Sequence, residues 1–254
     1  MNEEFYLGGY WKGRMINVTE YVLESLNYLK VLVKVHPAFE DLEVYNKTTE
    51  KYIPVVLDED FFKTTVFPLI FSDDTWYYKP NGMKDTNLTL ESYSPTGFQM
   101  SYSNCKDKTL EIFIRAGMYQ QLNNNGGAEK DEIYNNIILN FPQNKWQELY
   151  KLEEMEKLMS VSVNHWQPYH ARIISHELSK QTHGKPPIMT GYLTFFQLDI
   201  NIDGLEEYFS IKKVDGMGTL YILKIDNFSV ENPECIQKVS MLENTLRRHD
   251  LLIV

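Results

Sequence analysis

Gly97-Phe98-Gln99-Met100-Ser101-Tyr102-Ser103, Leu110-Glu111-Ile112-Phe113-Ile114-Arg115-Ala116 and Asn136-Ile137-Ile138-Leu139-Asn140-Phe141 are three short β-rich runs separated by turn-forming residues. Such runs predict an antiparallel sheet. Between the last two lies Gln120 to Lys130, with Asn123-Asn124-Asn125-Gly126-Gly127 at its centre, too polar for a core and read as a mobile loop. Toward the start, Phe5 to Trp11 reads as an aromatic strand. Asn17 and Glu20 then form a capping box, and Val22, Leu26, Leu29 and Val33 share one face of the helix that follows. His36-Pro37 ends that helix, because the residue before proline is pushed out of the α region. Toward the end, Trp146 to Met159 reads as a surface helix with an acidic wet face (Glu148, Glu153, Glu154, Glu156). Tyr169 to Leu178 fits both periods and is read as a strand. Tyr208 to Val214 and Thr219 to Ile225 flank the turn pair Asp215-Gly216, and Cys235 to Asp250 closes the chain as a helix. The fold class is α+β, a mainly antiparallel sheet with flanking helices in a single domain over residues 1–254.

A chain of 254 residues with 43% hydrophobic residues can bury a core without disulfide or metal support. Cys105 and Cys235 form no C-x-x-C pair and are read as buried or incidental thiols. The acidic opening Met1-Asn2-Glu3-Glu4-Phe5 lacks the basic and apolar features of a secretory signal, so a cytoplasmic location is expected, and the four N-x-S/T matches at Asn17, Asn46, Asn87 and Asn227 are read as chance. No run reaches the length of a membrane helix. A formal charge of −10 repels nucleic acid and anionic lipid and favours a partner with a basic surface. The expected partner is a protein, with no nucleic acid and no membrane.

Catalytic and metal patterns fail where they can be tested. His176-Glu177 opens like a zinc-protease motif, but Lys180 stands where the second histidine is needed. His165, His170, His176 and His183 lie at intervals of five, six and seven, which do not recur on one helical face. Gly184-Lys185 is followed by Pro186, which removes a backbone N–H that a phosphate loop needs. No lysine has an acidic residue two places before it, as a restriction-type nuclease strand requires. A protein without catalysis, metal or cofactor is therefore expected. The alternatives are an enzyme with a site around Arg14 or the His165, His170 and His176 cluster, and a housekeeping interaction protein.

The segments that stand out are Tyr6-Leu7-Gly8-Gly9-Tyr10-Trp11-Lys12-Gly13-Arg14, Gly97-Phe98, His165-Trp166-Gln167-Pro168, Gly191-Tyr192-Leu193-Thr194-Phe195 and Asp215-Gly216-Met217-Gly218. In order and spacing, over most of the chain, they resemble the immunity protein 52 family of bacterial polymorphic toxin systems. Tyr10, Trp11, Gly13 and Arg14 match the family's opening, with Lys12 in place of a small residue. Trp166 and Pro168 match its tryptophan-x-proline element, and Gly191, Tyr192 and Leu193 its glycine-aromatic-leucine strand, with tyrosine where tryptophan is commoner. The resemblance implies an α+β immunity protein that neutralises a cognate toxin, a restriction-endonuclease-like nuclease delivered by a type VI or contact-dependent system. The motif residues themselves read as scaffold, since fold-marking aromatics belong to cores.

A partner-binding surface is expected at Asp58, Glu59, Asp60, Asp73, Asp74, Trp76 and Tyr77. These acids bracket the apolar stretch Phe61 to Phe71, which ends beside Trp76-Tyr77-Tyr78. Aromatic anchors with a charged rim suit an interface. The competing reading is that Asp58 to Asp60 open a helix and that Phe61 to Phe71 is core.

Overall fold

The computed structural model describes residues 3–74, 76–104, 110–119, 135–142, 146–181, 190–198, 202, 204–214, 216–226 and 228–249. The expected loop at Gln120 to Lys130, together with Cys105, His183, Gly184-Lys185-Pro186, Asp215, Asn227 and Asp250, lies outside the described residues. The chain is α+β, with a mainly antiparallel sheet. Its contacts cluster into two compact units, one of residues 10–146 and one of residues 1–9 with 147–254.

β1 (Phe5–Trp11) leads the chain into the unit of residues 10–146. There Asn17 caps α1 (Val18–Val35): its side chain accepts the Glu20 N–H at 2.9 Å, and the Glu20 carboxylate accepts the Asn17 N–H at 2.8 Å. His36, in an extended conformation, ends the helix ahead of Pro37. The buried stripe of α1 holds Val22, Leu26 and Leu29 as expected, but Leu32 and not Val33 completes it. Tyr21, Ser25 and Tyr28 are also buried, so the stripe is centred nearer the 21-25-28-32 row, and Val33 turns toward its margin.

β2 (Glu43–Asn46) and β3 (Lys51–Pro54) form a hairpin. Asn46 Oδ1 holds its turn by accepting the N–H groups of Thr48 at 2.9 Å and Thr49 at 3.1 Å. α2 (Glu59–Phe61) runs on into a wider turn over Phe62–Val66 and a 3-10 turn over Phe67–Leu69. β4 (Tyr77–Tyr78) and β5 (Lys84–Asp85) pair with each other. The three diagnostic runs become β6 (Phe98–Ser103), β7 (Glu111–Ala116) and β8 (Asn135–Asn140). The strand order in this unit is β8-β7-β6-β2-β3. One face of β6 to β8 is buried, through Phe98, Met100 and Tyr102, Ile112, Ile114 and Ala116, and Ile137 and Leu139. α1 covers it: the Tyr21 hydroxyl donates to the Ile114 carbonyl at 2.9 Å, and its ring packs against Phe98. The opposite face, including Gln99, Ser101, Phe113, Arg115 and Ile138, is half-exposed.

In the other unit the expected helix at Trp146 to Met159 is a 3-10 turn over Gln147–Tyr150 followed by α3 (Leu152–Trp166). Lys151 is extended between them and caps α3 without a side-chain bond. β9 (His170–Ser175) passes directly into α4 (His176–Gln181), so the ambiguous stretch is strand first and helix second. The switch falls at Ser175, whose hydroxyl accepts the Leu178 N–H at 3.1 Å and so nucleates the helical turn. β10 (Leu193–Phe196), β11 (Phe209–Val214), β12 (Gly218–Leu223) and α5 (Pro233–Arg248) complete the unit. Its strand order is β11-β12-β10-β9-β1. α3 lies against β9 and α5 against β12. The β11–β12 hairpin demands glycine at position 218: φ there is +156°, and a Cβ would meet the Phe196 carbonyl oxygen at 2.0 Å.

Candidate partner-binding surface

β6 has one edge that is only partly used. Phe71 pairs with Gln99 there: the Phe71 N–H donates to the Gln99 carbonyl at 3.1 Å and the Gln99 N–H to the Phe71 carbonyl at 2.9 Å. Amide groups alternate in direction along a strand, so Ser101, two residues on, turns its N–H and C=O to the same edge. β2 reaches that edge at Glu43 opposite Ser103. Continuing the register would set Tyr45 opposite Ser101, yet no bridge joins them among the described residues, because the β2–β3 hairpin swings away. An open cleft of about 550 Å³ fills the gap. Tyr45, Lys47 and Thr48 form one wall, Pro68 to Phe71 the other, and Gln99, Ser101 and Phe113 line it from the strands.

The walls of this cleft carry exposed aromatic surface. Tyr45 is 43% exposed and Phe71 45%, and Tyr52, outside the lining but next to Tyr45, is 52% exposed. Tyr45 and Tyr52 sit opposite each other in the hairpin with ring centroids 5.0 Å apart. The Lys47 ammonium stands 4.9 Å from the Phe71 ring centroid. Adjacent exposed aromatics of this kind are what a partner protein buries as anchors.

The acidic residues expected at the interface have identifiable local roles. Asp58 caps α2 by accepting the Phe61 N–H at 2.9 Å. Glu59 pairs with Lys63 one turn on, and Asp60 is exposed. Asp73 accepts from Arg115 at 3.0 Å, on the half-exposed face that also carries Phe113. Asp74 is structural: its carboxylate takes the hydroxyl of buried Ser94 and, at 3.2 Å, the Thr96 N–H, fixing the turn that enters β6. Trp76, 40% exposed, lies under the Lys84 ammonium at 4.4 Å from its ring centroid. The phenols of half-buried Tyr77 and Tyr119 are pushed up, first by partial burial, with the Asp74 charge adding to it. Within Phe61 to Phe71, Phe62 and Val66 are core, whereas Pro68 to Phe71 line the cleft, Ile70 from a largely buried position.

These roles separate two kinds of acid. Asp74→Ala leaves the Thr96 N–H without its acceptor and the buried Ser94 hydroxyl with only the Gly97 carbonyl and the Ser72 hydroxyl, and is expected to cost about 1–3 kcal/mol of stability in a denaturant melt. Glu59→Lys with Asp60→Lys is expected to leave the melt within a few degrees. Full stability in the Asp74→Ala protein would show that the turn does not depend on this carboxylate.

Most of the motif residues are buried: Trp11, Trp166, Pro168, Gly191 and Tyr192. A Cβ at Gly191 would stand 2.4 Å from the Ile173 carbonyl oxygen, and the Tyr192 hydroxyl donates to Glu3 at 3.1 Å. Tyr10 is half-buried and Gly13 exposed. Arg14 is exposed and pairs with Glu24, whose carboxyl is held above its usual range by burial, with the guanidinium pulling the other way. The histidines rest on aromatic rings: His165 on Trp166, buried His170 on Phe196, and His176 stacked on Tyr6 at 4.8 Å. Among the described residues no three His, Cys, Asp or Glu side chains gather where they could hold a metal ion. Among them, too, no helix is long and apolar enough to cross a membrane.

Sequence reasoning missed Tyr45, Lys47, Tyr52 and Phe113. The available signal was Asn46 to Glu50, a polar turn between two aromatic-bearing runs, which marks a hairpin.

No family model matches this chain, and no curated protein matches it. Among solved structures, the chain is similar to a Pseudomonas aeruginosa T6SS protein, with 9% identity and a TM-score of 0.49, covering 96% of this chain and 76% of that one.

Proposed function

We propose that this protein is an immunity protein: it binds a cognate toxin in the cytoplasm of the producing cell and holds it inactive, without catalysis or cofactor. The observation that carries the reading is the pair of exposed aromatics Tyr45 and Phe71 lining an open cleft, with exposed Tyr52 beside Tyr45 in the hairpin. Large aromatics left this accessible have a use in burial against a partner. Two further features support it. The charge of −10 suits a nuclease toxin with a basic surface, steering encounter while the aromatics anchor the complex. The ordered motif residues from Tyr10 to Gly218 resemble those of the immunity protein 52 family, whose toxins travel by type VI or contact-dependent delivery.

The test is co-expression with the toxin domain encoded beside it. Cells carrying both are expected to survive, and the purified pair to bind with Kd at or below about 1 nM, as a lethal intracellular nuclease demands. The association rate is expected to fall as salt rises, because exposed charges are screened within about 8 to 10 Å at physiological ionic strength. Cell death despite full expression of the soluble protein would reject the reading.

A further inference from the structure

The geometry points to the cleft beside Ser101 as a slot for an extended segment of the partner, one residue of which exchanges backbone bonds with Ser101 between the pairs already made by Phe71 and Glu43, placing an apolar side chain against Phe71 and Phe113 with a carboxylate beside Lys47. This deepens the immunity reading and rests on it for the identity of the partner.

Three observations carry it. First, the ladder between β2 and β6 stops after Glu43 and Ser103, leaving the Ser101 N–H and C=O aimed into the cleft. Backbone groups at such an edge are a template for another strand. Phe71 already uses the same edge: one extended residue exchanges two backbone bonds with Gln99, two residues from Ser101. Second, the floor and walls are apolar where an incoming side chain would sit, with Leu69, Ile70, Phe71, Met100 and Phe113 lining the space. Third, the charge is local and opposite to that of the chain. Lys47 lines the cleft, and no carboxylate is among its lining residues, in a protein whose formal charge is −10. A segment carrying an acidic residue is favoured there and a basic one is not.

The other free edge in this unit is poorly suited to the task. Val55 donates to Leu42 at 2.8 Å, so the alternation turns Ile53 and Lys51 inward and leaves Tyr52 and Pro54 facing outward on β3. Pro54 has no N–H to offer, a common way of blunting an edge. Strand addition is thereby directed to β6 rather than to β3.

Selection of a random dodecapeptide display library against the full chain tests this without presupposing the toxin. Peptides with an apolar residue near an acidic one are expected, and each should bind about tenfold or more weakly to Ser101→Pro, which removes the N–H that faces the slot, and to Lys47→Glu, which reverses its charge. Leu198→Ser, on the other unit, serves as the control and should bind like the parent. Melting curves establish that each variant folds, and Lys47→Glu leaves the backbone intact if Ser101→Pro does not fold. An empty selection, or peptides indifferent to Lys47→Glu, would overturn the slot. Self-association of the parent that Lys47→Glu abolishes would make a second copy the occupant and also overturn it. A toxin complex that forms but ignores these variants rejects the slot and keeps the immunity reading, whereas slot-dependent peptides with no toxin complex do the reverse.

Discussion

Tyr45→Ala combined with Phe71→Ala is expected to weaken the toxin complex by about 4 kcal/mol, close to a thousandfold in Kd, since a buried aromatic anchor is worth roughly 2 kcal/mol or more. The folded protein should hardly register the change. Both side chains are already nearly half exposed, so little apolar area is lost, and the backbone of Phe71 keeps its pairing with Gln99 whatever its side chain. The melt is expected to move by only a few degrees. Calorimetric titration of the double variant reads the affinity, and a circular dichroism melt reads the fold. Affinity within about twofold of the parent, with an unchanged melt, would remove these two rings from the interface. A large fall in affinity with a collapsed melt would instead mean that the aromatics hold the hairpin to the strand layer. The two measurements must therefore be made on the same preparation.

Sequence made the strands and helices legible wherever one local signal dominated. β1 agrees with its expected span, β6 to β8 fall within a residue of theirs, and the Asn17 capping box is present with both bonds made. Each rests on neighbours in sequence: a side chain three residues from the N–H it caps, or a β-rich run between turns. The misplacements have long-range causes. Val33 yields to Leu32 because the buried stripe of α1 also takes in Tyr21, Ser25 and Tyr28. The stretch from Tyr169 to Leu178 divides at Ser175 because its hydroxyl caps the turn that follows. The candidate surface was harder to read. Acidic pairs around an apolar stretch suggested a rim, but a sequence does not show that Asp74 is committed to Ser94, twenty residues on, or that Asp73 is committed to Arg115. Nor does it show that β2 parts from β6 after one pair. That divergence, which creates the cleft, is a property of register and is invisible to composition.

The motif residues offer the sharpest contrast between scaffold and surface. Trp166→Ala is expected to destabilise the protein by about 3–5 kcal/mol, the usual cost of deleting a large buried aromatic and leaving a cavity. Trp166 ends α3 with 1% of its surface exposed, ahead of Gln167, which closes the helix in the left-handed conformation at φ 48°. The next residue, buried Pro168, lies 3.9 Å from where a Cβ on Gly9 would stand, so the chain leaving the helix packs against β1. Removing the buried indole leaves a cavity at the end of the helix. At about 2–4 °C per kcal/mol for a chain of this size, the melt should fall by roughly 6 to 20 °C. Arg14→Ala makes the comparison, because an exposed ion pair with Glu24 contributes little. If Trp166 belongs to the scaffold, its variant still binds the toxin with parental affinity well below its melting temperature, since no partner touches a side chain this deep. A variant that melts like the parent but fails to bind would place the tryptophan-x-proline element at the interface, and the aromatic cleft would then lose its claim to be the principal contact.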